Sequence, residues 1–319
     1  MLLASLTAAL LLPATALASD RFSVERAGDP AGQTVVFIPG LGTPAEVWTD
    51  TARSVSHTDT RLVTVAGFGG SPAASAPADR LLAAVSADLA AWLEGEGIEN
   101  ALLVGHSLGA QIALQTAAAT PGRVAGVLVV DSAPFFAGLM NPGADPAQAA
   151  AFGPVMRVQM ESATDEAFTA MSVQGLPVQA ASAEAQAQVL AWVQASDRAV
   201  FAQAAAEALS GDFRSVLAGV AAPVRVLVAH SAITPVPAEA LRTMFEAQYA
   251  GLHRVDITLV SDSRHFIMLD QPAAFHPSWS LFWRKSNDPG RQTLHRAFSI
   301  PDDRLQPGGG RRDYGAENA

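Results

Sequence analysis

The sequence predicts an α/β protein: a mostly parallel, doubly wound sheet carrying an inserted helical cap. Three observations carry this. Short, largely apolar and β-branched runs at 34–38, 101–104, 124–130, 224–229 and 255–260 suit strands buried on both faces. Helix-forming stretches separate them, and such alternation makes a parallel sheet with right-handed crossovers the natural architecture. Residues 135–221 then break the rhythm, being rich in Ala, Gln and Met with no convincing strand, and read as a helical insertion.

Length and composition set the bounds. The chain has 319 residues, half of them hydrophobic, enough for one sizeable α/β domain with an insertion. Its formal net charge is −10 and its first 280 residues hold no dense basic block, so a nucleic-acid partner is excluded. Cysteine is absent, so no disulfide supports the fold. Residues 1–18 are apolar and end in Ala16-Leu17-Ala18, the pattern of a secretory signal peptide cut before Ser19. The segment lacks an early Lys or Arg; a retained anchor, interrupted by Pro13, or a misassigned start are the other readings. Export, with no stable membrane insertion after cleavage, is the expectation.

Taken in order, residues 21–27 form a first strand closed by Gly28-Asp29-Pro30. Thr34 to Ile38 is the first buried parallel strand and runs into Pro39-Gly40-Leu41-Gly42. Residues 61–66 make another strand, followed by the turn Gly67-Phe68-Gly69-Gly70-Ser71-Pro72, which lacks the Lys of a phosphate-binding loop. Leu82, Val85, Leu89 and Leu93 lie near helical spacing within 79–94, and Gly95 to Gly97 ends that helix.

Ala101 to Val104 is too short for a helix and suits a buried strand. It stops at Gly105-His106-Ser107-Leu108-Gly109, and helix formers begin at once with Gly109 to Gln115. A serine in so tight a passage between strand and helix is a nucleophile elbow, G-x-S-x-G, whose glycines leave room for a strained backbone that lifts the hydroxyl clear of the sheet. The strand at 123–130 leads to Asp131. After the insertion come a strand at 224–229, a helix at 237–249 and a last strand at 255–260. The loop Ser261-Asp262-Ser263-Arg264-His265-Phe266 and then Leu269-Asp270-Gln271-Pro272 follows.

Elbow and histidine loop together resemble the α/β-hydrolase superfamily, over about residues 22–284. The resemblance implies Ser107 as nucleophile and His265 as general base. It also implies an oxyanion hole from the backbone N–H groups of Leu41 and Leu108, Pro39 standing where relatives often carry histidine. The triad acid departs from the common pattern. The loop after strand 224–229, His230-Ser231-Ala232-Ile233-Thr234-Pro235, has no carboxylate, and some relatives place the acid after the preceding strand, where Asp131 stands. Asp131 is the candidate and Asp262 the alternative.

Residues 19–134 and 222–284 are thus assigned to the hydrolase core and 135–221 to the cap. Phe135, Phe136, Met140 and Met156 are candidates to line an apolar acyl pocket, along with Phe152, Met160, Phe168 and Met171; packing among cap helices is the other use for such residues. Residues 285–319 lack apolar periodicity and are expected to be a disordered tail or an interaction arm. The resemblance implies a monomeric or weakly associating serine hydrolase of carboxylic esters or lactones, acting on a small ester-type substrate without metal or organic cofactor. Peptidase, thioesterase or C–C bond hydrolase activity, or ligand binding without catalysis, are the alternatives, because fold does not set the leaving group.

Overall fold

The computed structural model describes residues 19–272, apart from 56 and 77. The signal-peptide segment and the tail assigned to 285–319 lie outside the described residues. Seven strands form one sheet: β1 (Phe22–Gly28), β2 (Gln33–Ile38), β3 (Thr58–Val65), β4 (Ala101–His106), β5 (Val124–Val130), β6 (Val224–His230) and β7 (Val255–Ser261). Their order is β1-β3-β2-β4-β5-β6-β7. Only β1 runs antiparallel, paired to β3 from Phe22 against Val65 to Gly28 against Asp59. The others are parallel, so the carboxyl ends of β4, β5, β6 and β7 share one rim.

The apolar runs are buried on both faces because successive side chains alternate sides. Val36, Ile38, Leu103, Val127, Val129 and Val226 pack against α2 (Leu81–Gly95) and α3 (Leu108–Ala119), meeting Val85, Leu89 and Ile112. Val35, Phe37, Leu102, Val104, Leu128 and Leu227 face the other way, onto Trp48 and Phe266. Trp48 ends a 3-10 turn, Ala45–Trp48, that runs into α1 (Thr49–Ser54). Neither element was legible in the sequence: each is a single turn or so, too short to show a period.

Between β5 and β6 the chain forms α4 (Phe136–Met140), α5 (Pro146–Glu161), α6 (Asp165–Gln179), α7 (Ala183–Ala195) and α8 (Arg198–Ser210). Side-chain caps start four of these: Asp145, Thr164, Ser182 and Asp197 each accept from a backbone N–H of the first turn. Residues 147–160, 183–195 and 197–209 have helical composition and fall in α5, α7 and α8, whereas no such stretch is singled out over α6. That helix contains Gly175 and Pro177, poor helix residues, and its ends are fixed by Thr164 at the start and by tertiary hydrogen bonds at the finish. Two further helices, α9 (Ala238–Gln248) and α10 (Ile267–Asp270), complete the described chain, and none of its helices is long and apolar enough to cross a membrane.

The insertion is fastened to the sheet by hydrogen bonds to loops and helix ends. Asp197 N–H donates to the Gly67 carbonyl (2.7 Å), and Ser196 Oγ bridges Gly69 N–H (2.9 Å) and the Gly42 carbonyl (3.1 Å). Glu207 of α8 accepts from Leu81 and Leu82 N–H at 2.7 and 2.9 Å. Those amides open α2, whose N-cap Arg80 supplies no side-chain cap, so a carboxylate from the insertion completes a core helix.

The turn from β4 to α3 depends on close approach. A Cβ at Gly109 would fall 2.3 Å from the Ile38 carbonyl oxygen, and one at Gly105 would fall 2.4 Å from Ala110 Cα. Backbone cannot yield as a flexible side chain can. Gly109→Ala is therefore expected to destabilise the fold by about 1–3 kcal/mol or more, read as a lowered urea midpoint; an unchanged midpoint would contradict this packing.

Candidate active site

Ser107 sits between β4 and α3 with φ 52° and ψ −122°, a conformation that side-chain-bearing residues rarely adopt and that costs on the order of 1–3 kcal/mol. It is held there from both sides: Ser107 N–H donates to the Val130 carbonyl (2.9 Å), and Ala110 N–H donates to the Ser107 carbonyl (3.0 Å). Ala110 thereby closes the first turn of α3.

Asp131 follows β5 directly and also has positive φ, 48°. One carboxylate oxygen, Oδ1, accepts from Ala229 N–H near the end of β6 (2.8 Å). The other, Oδ2, lies 2.7 Å from His265 Nδ1 in the loop after β7. An ionised carboxylate only accepts, so Nδ1 carries the proton and Nε2 is left as the basic nitrogen. Asp262, the sequence alternative, is solvent-exposed and makes no hydrogen bond to His265; its carbonyl accepts from Gln271 Nε2 (2.9 Å). Behind Asp131, burial and then the nearby Asp131 charge keep the Tyr249 phenol protonated, and its hydroxyl donates to the Ser132 carbonyl (2.7 Å).

The backbone N–H groups of Leu41 and Leu108 have no acceptor among the described residues. Leu108 opens α3, where the first amides lack intrahelical partners. Leu41 follows Gly40, whose missing side chain lets the loop press on the elbow: a Cβ there would lie 2.7 Å from His106 Nδ1 and 3.3 Å from Ser107 Cβ.

Leu41, Ser107, Leu108, Asp131 and His265 all border one cavity of about 700 Å³ between the sheet rim and the inserted helices. Of the predicted pocket residues, Phe136 and Met140 line it, as do Met160, Phe168 and Met171. Phe135 and Met156 do not. Phe135, the residue before α4, is buried in the interior, 1% exposed, with the Arg214 guanidinium 4.6 Å from its ring centroid. Met156 sits elsewhere on α5, and Phe152 is turned to solvent. Leu176, Val189 and Phe201 complete much of the apolar wall. No sequence signal distinguished them from ordinary helix packing. Among the described residues no group of three or more His, Asp or Glu side chains is placed to hold a metal ion.

His106, the residue before Ser107, also went unremarked. It is 1% exposed; its Nε2 lies 3.0 Å from the His265 carbonyl oxygen and its ring centroid 4.5 Å from that of His265. Burial, and next the neighbouring His265, hold its pKa well below the ordinary 6.5, with the hydrogen bond to the His265 carbonyl opposing them. The ring is therefore neutral, and Nε2–H donates. An imidazole that cannot charge when folded binds fewer protons than in the unfolded chain, so its contribution favours folding above pH ~6.5 and is lost as pH falls below it. The unfolding free energy from urea titrations between about pH 7 and pH 5 should fall by up to about 1.4 kcal/mol per pH unit from this group, and His106→Phe should flatten that slope. Equal slopes would contradict the assignment.

Comparison with known proteins places the chain. The N-formylmaleamate deformylase of Pseudomonas putida is 36% identical over 101 residues, covering 31% of this chain and 37% of that protein. The chain spans roughly two fifths of the length of the curated relatives it matches, 37–42%. Among solved structures, a hydrolase from Pseudomonas aeruginosa PA01 superposes with a TM-score of 0.67 at 17% identity, over 82% of this chain and 94% of its own. An esterase from Thermogutta terrifontis gives 0.66 at 19% identity, over 84% and 94%. The enol-lactonase of Burkholderia xenovorans LB400 gives 0.63 at 17% identity, over 82% and 96%. These likenesses carry the fold, and the model of the alpha/beta hydrolase family matches residues 35–277. On that match, which includes the elbow and the histidine loop, the chain belongs to the alpha/beta hydrolase family.

Proposed function

We propose that this protein is a serine hydrolase cleaving carboxylic esters or lactones of small, apolar acyl groups through an acyl-enzyme on Ser107. The observation that carries the reading is the Asp131–His265 pair, 2.7 Å apart, bordering the same cavity as an elbow serine. Ser107 Oγ attacks the carbonyl carbon while His265 Nε2 takes its proton. Asp131 keeps the proton of the neutral ring on Nδ1 and stabilises the imidazolium that forms. The N–H groups of Leu41 and Leu108 receive the oxyanion of the tetrahedral intermediate; in enzymes where one such donor has been removed the loss is about 3 kcal/mol. Collapse breaks the bond to the leaving oxygen, which takes the proton back from His265. Water then attacks the acyl-enzyme by the same route and frees Ser107.

The cavity wall supports an apolar acyl group: Met160, Phe168, Met171, Leu176 and Val189 carry no charge, and aliphatic and thioether side chains exact no penalty for displacing water from a hydrocarbon chain. The likeness to a deformylase favours, as a second reading, hydrolysis at an amide-type carbonyl by the same residues.

Turnover of a short and a long p-nitrophenyl ester, measured beside Ser107→Ala, tests the proposal. Serine-dependent release is expected, and a serine-directed phosphonate should mark the parent protein but not the variant. Asp131→Asn should lower kcat by up to about 10⁴-fold, the loss seen when a serine-protease triad aspartate is replaced. An unlabelled parent protein would overturn the acyl-enzyme. Export belongs to the same proposal: protein recovered from outside the cytoplasm should begin at Ser19 on N-terminal sequencing, and a start at Met1 would count against it.

A further inference from the structure

The backbone around His265 is held by the inserted helices. His265 N–H donates to the Val178 carbonyl (3.3 Å) and Phe266 N–H to the Gln179 carbonyl (2.8 Å). Those two carbonyls belong to the last turn of α6, which a helix leaves without internal partners. Arg264 Nη1 donates to the next carbonyl, Ala180 (2.8 Å). Three successive residues of the histidine loop are thus bonded to three successive carbonyls of the insertion.

Asp270 locks this register. Its Oδ2 accepts from Arg264 N–H and its Oδ1 from Ala181 N–H, both at 2.8 Å. One carboxylate therefore joins the residue before His265 to Ala181 in the α6–α7 connection. Its own backbone is fixed by the bond from Asp270 N–H to the Phe266 carbonyl (3.1 Å), within the turn that follows His265.

We propose that Asp270 is a positioning residue that makes seating of the α6–α7 connection a condition for correct placement of His265. The proposal rests on the reading of His265 as general base, and adds that the inserted helices align the base as well as enclosing the acyl group. A carboxylate bonded to two backbone amides on different segments fixes their separation more firmly than either bond alone. When residues 178–181 move away, His265 and Phe266 lose the acceptors of their N–H groups, and the Arg264 guanidinium loses the Ala180 carbonyl. The Nδ1 bond to Asp131 and the contact from His106 then remain to orient the ring.

The test removes the link without touching the catalytic groups. Ala181→Pro deletes one N–H; Ala181 is exposed, and Ala180 is already extended (φ −144°, ψ 153°), the conformation a residue before proline prefers. Asp270→Ala deletes both acceptors. Two readouts are taken on the full chain. One is kcat and KM on a p-nitrophenyl ester. The other is the downfield NMR resonance of the His265 Nδ1 proton, assigned by its loss in His265→Gln. Both variants should lower kcat, Asp270→Ala by on the order of 10²-fold, with KM little changed and the Nδ1 resonance broadened or lost while the chain stays folded. A folded Ala181→Pro or Asp270→Ala that keeps both the resonance and kcat would overturn the proposal. If the parent protein neither turns over ester nor takes the phosphonate, the acyl-transfer reading fails, and the Nδ1 resonance alone decides the positioning role.

Discussion

Everything at the rim depends on how the two oxygens of Asp131 are divided. Oδ1 is tied to the Ala229 amide near the end of β6, and Oδ2 is given to His265 Nδ1. The first bond aims the carboxylate and the second fixes the ring. Because β5, β6 and β7 are parallel neighbours, the end of one strand, the end of the next and the loop after the third come within reach of one short side chain. The positive φ of Asp131 is consistent with that demand: short polar residues tolerate such a backbone better than most.

The serine is placed by close packing as well as by its two backbone hydrogen bonds. Gly105 and Gly109 let α3 start against β2 and β4 at distances no side chain allows, and Gly40 lets the loop after β2 lie on His106 and Ser107. The same crowding leaves the Leu41 and Leu108 amides at the edge of a cavity instead of in the backbone ladder. His106 connects these parts, its neutral ring touching the β2 loop on one side and the His265 backbone on the other. The inserted helices enclose the cavity and also reach back into the core: Glu207 completes the start of α2, and the end of α6 holds the histidine loop. An insertion bonded at several separate places behaves as part of the fold and not as a loose lid.

Much of this could be read without coordinates, and the reasons are local. Strands buried on both faces announce themselves as apolar runs, and a G-x-S-x-G between a strand and a helix has few other uses. Leu82, Val85, Leu89 and Leu93 repeat at helical spacing, and α2 forms there. What escaped was either short or tertiary. Helix α6 has unfavourable Gly175 and Pro177, so its stability lies in packing and in N–H donors to its last carbonyls, supplied by residues more than eighty positions away. Phe135 and Phe136 are adjacent and alike in chemistry, yet one is buried beside Arg214 and the other lines the cavity, because direction at the start of α4 is set by the neighbours.

The sequence by itself determined the fold class, the succession of strands, the core helix α2 and the elbow with its serine, since each follows from periodicity, glycine placement and turn chemistry within a few residues. It narrowed the partner of His265 to two carboxylates. Only the tertiary structure decided between them: Asp262 is close along the chain but exposed, whereas Asp131, 134 residues away, meets the ring across two parallel strands. The cavity wall and the hold of α6 on the histidine loop were likewise left to tertiary packing, because which side chains meet across elements is a property of register and helix orientation that no local pattern encodes.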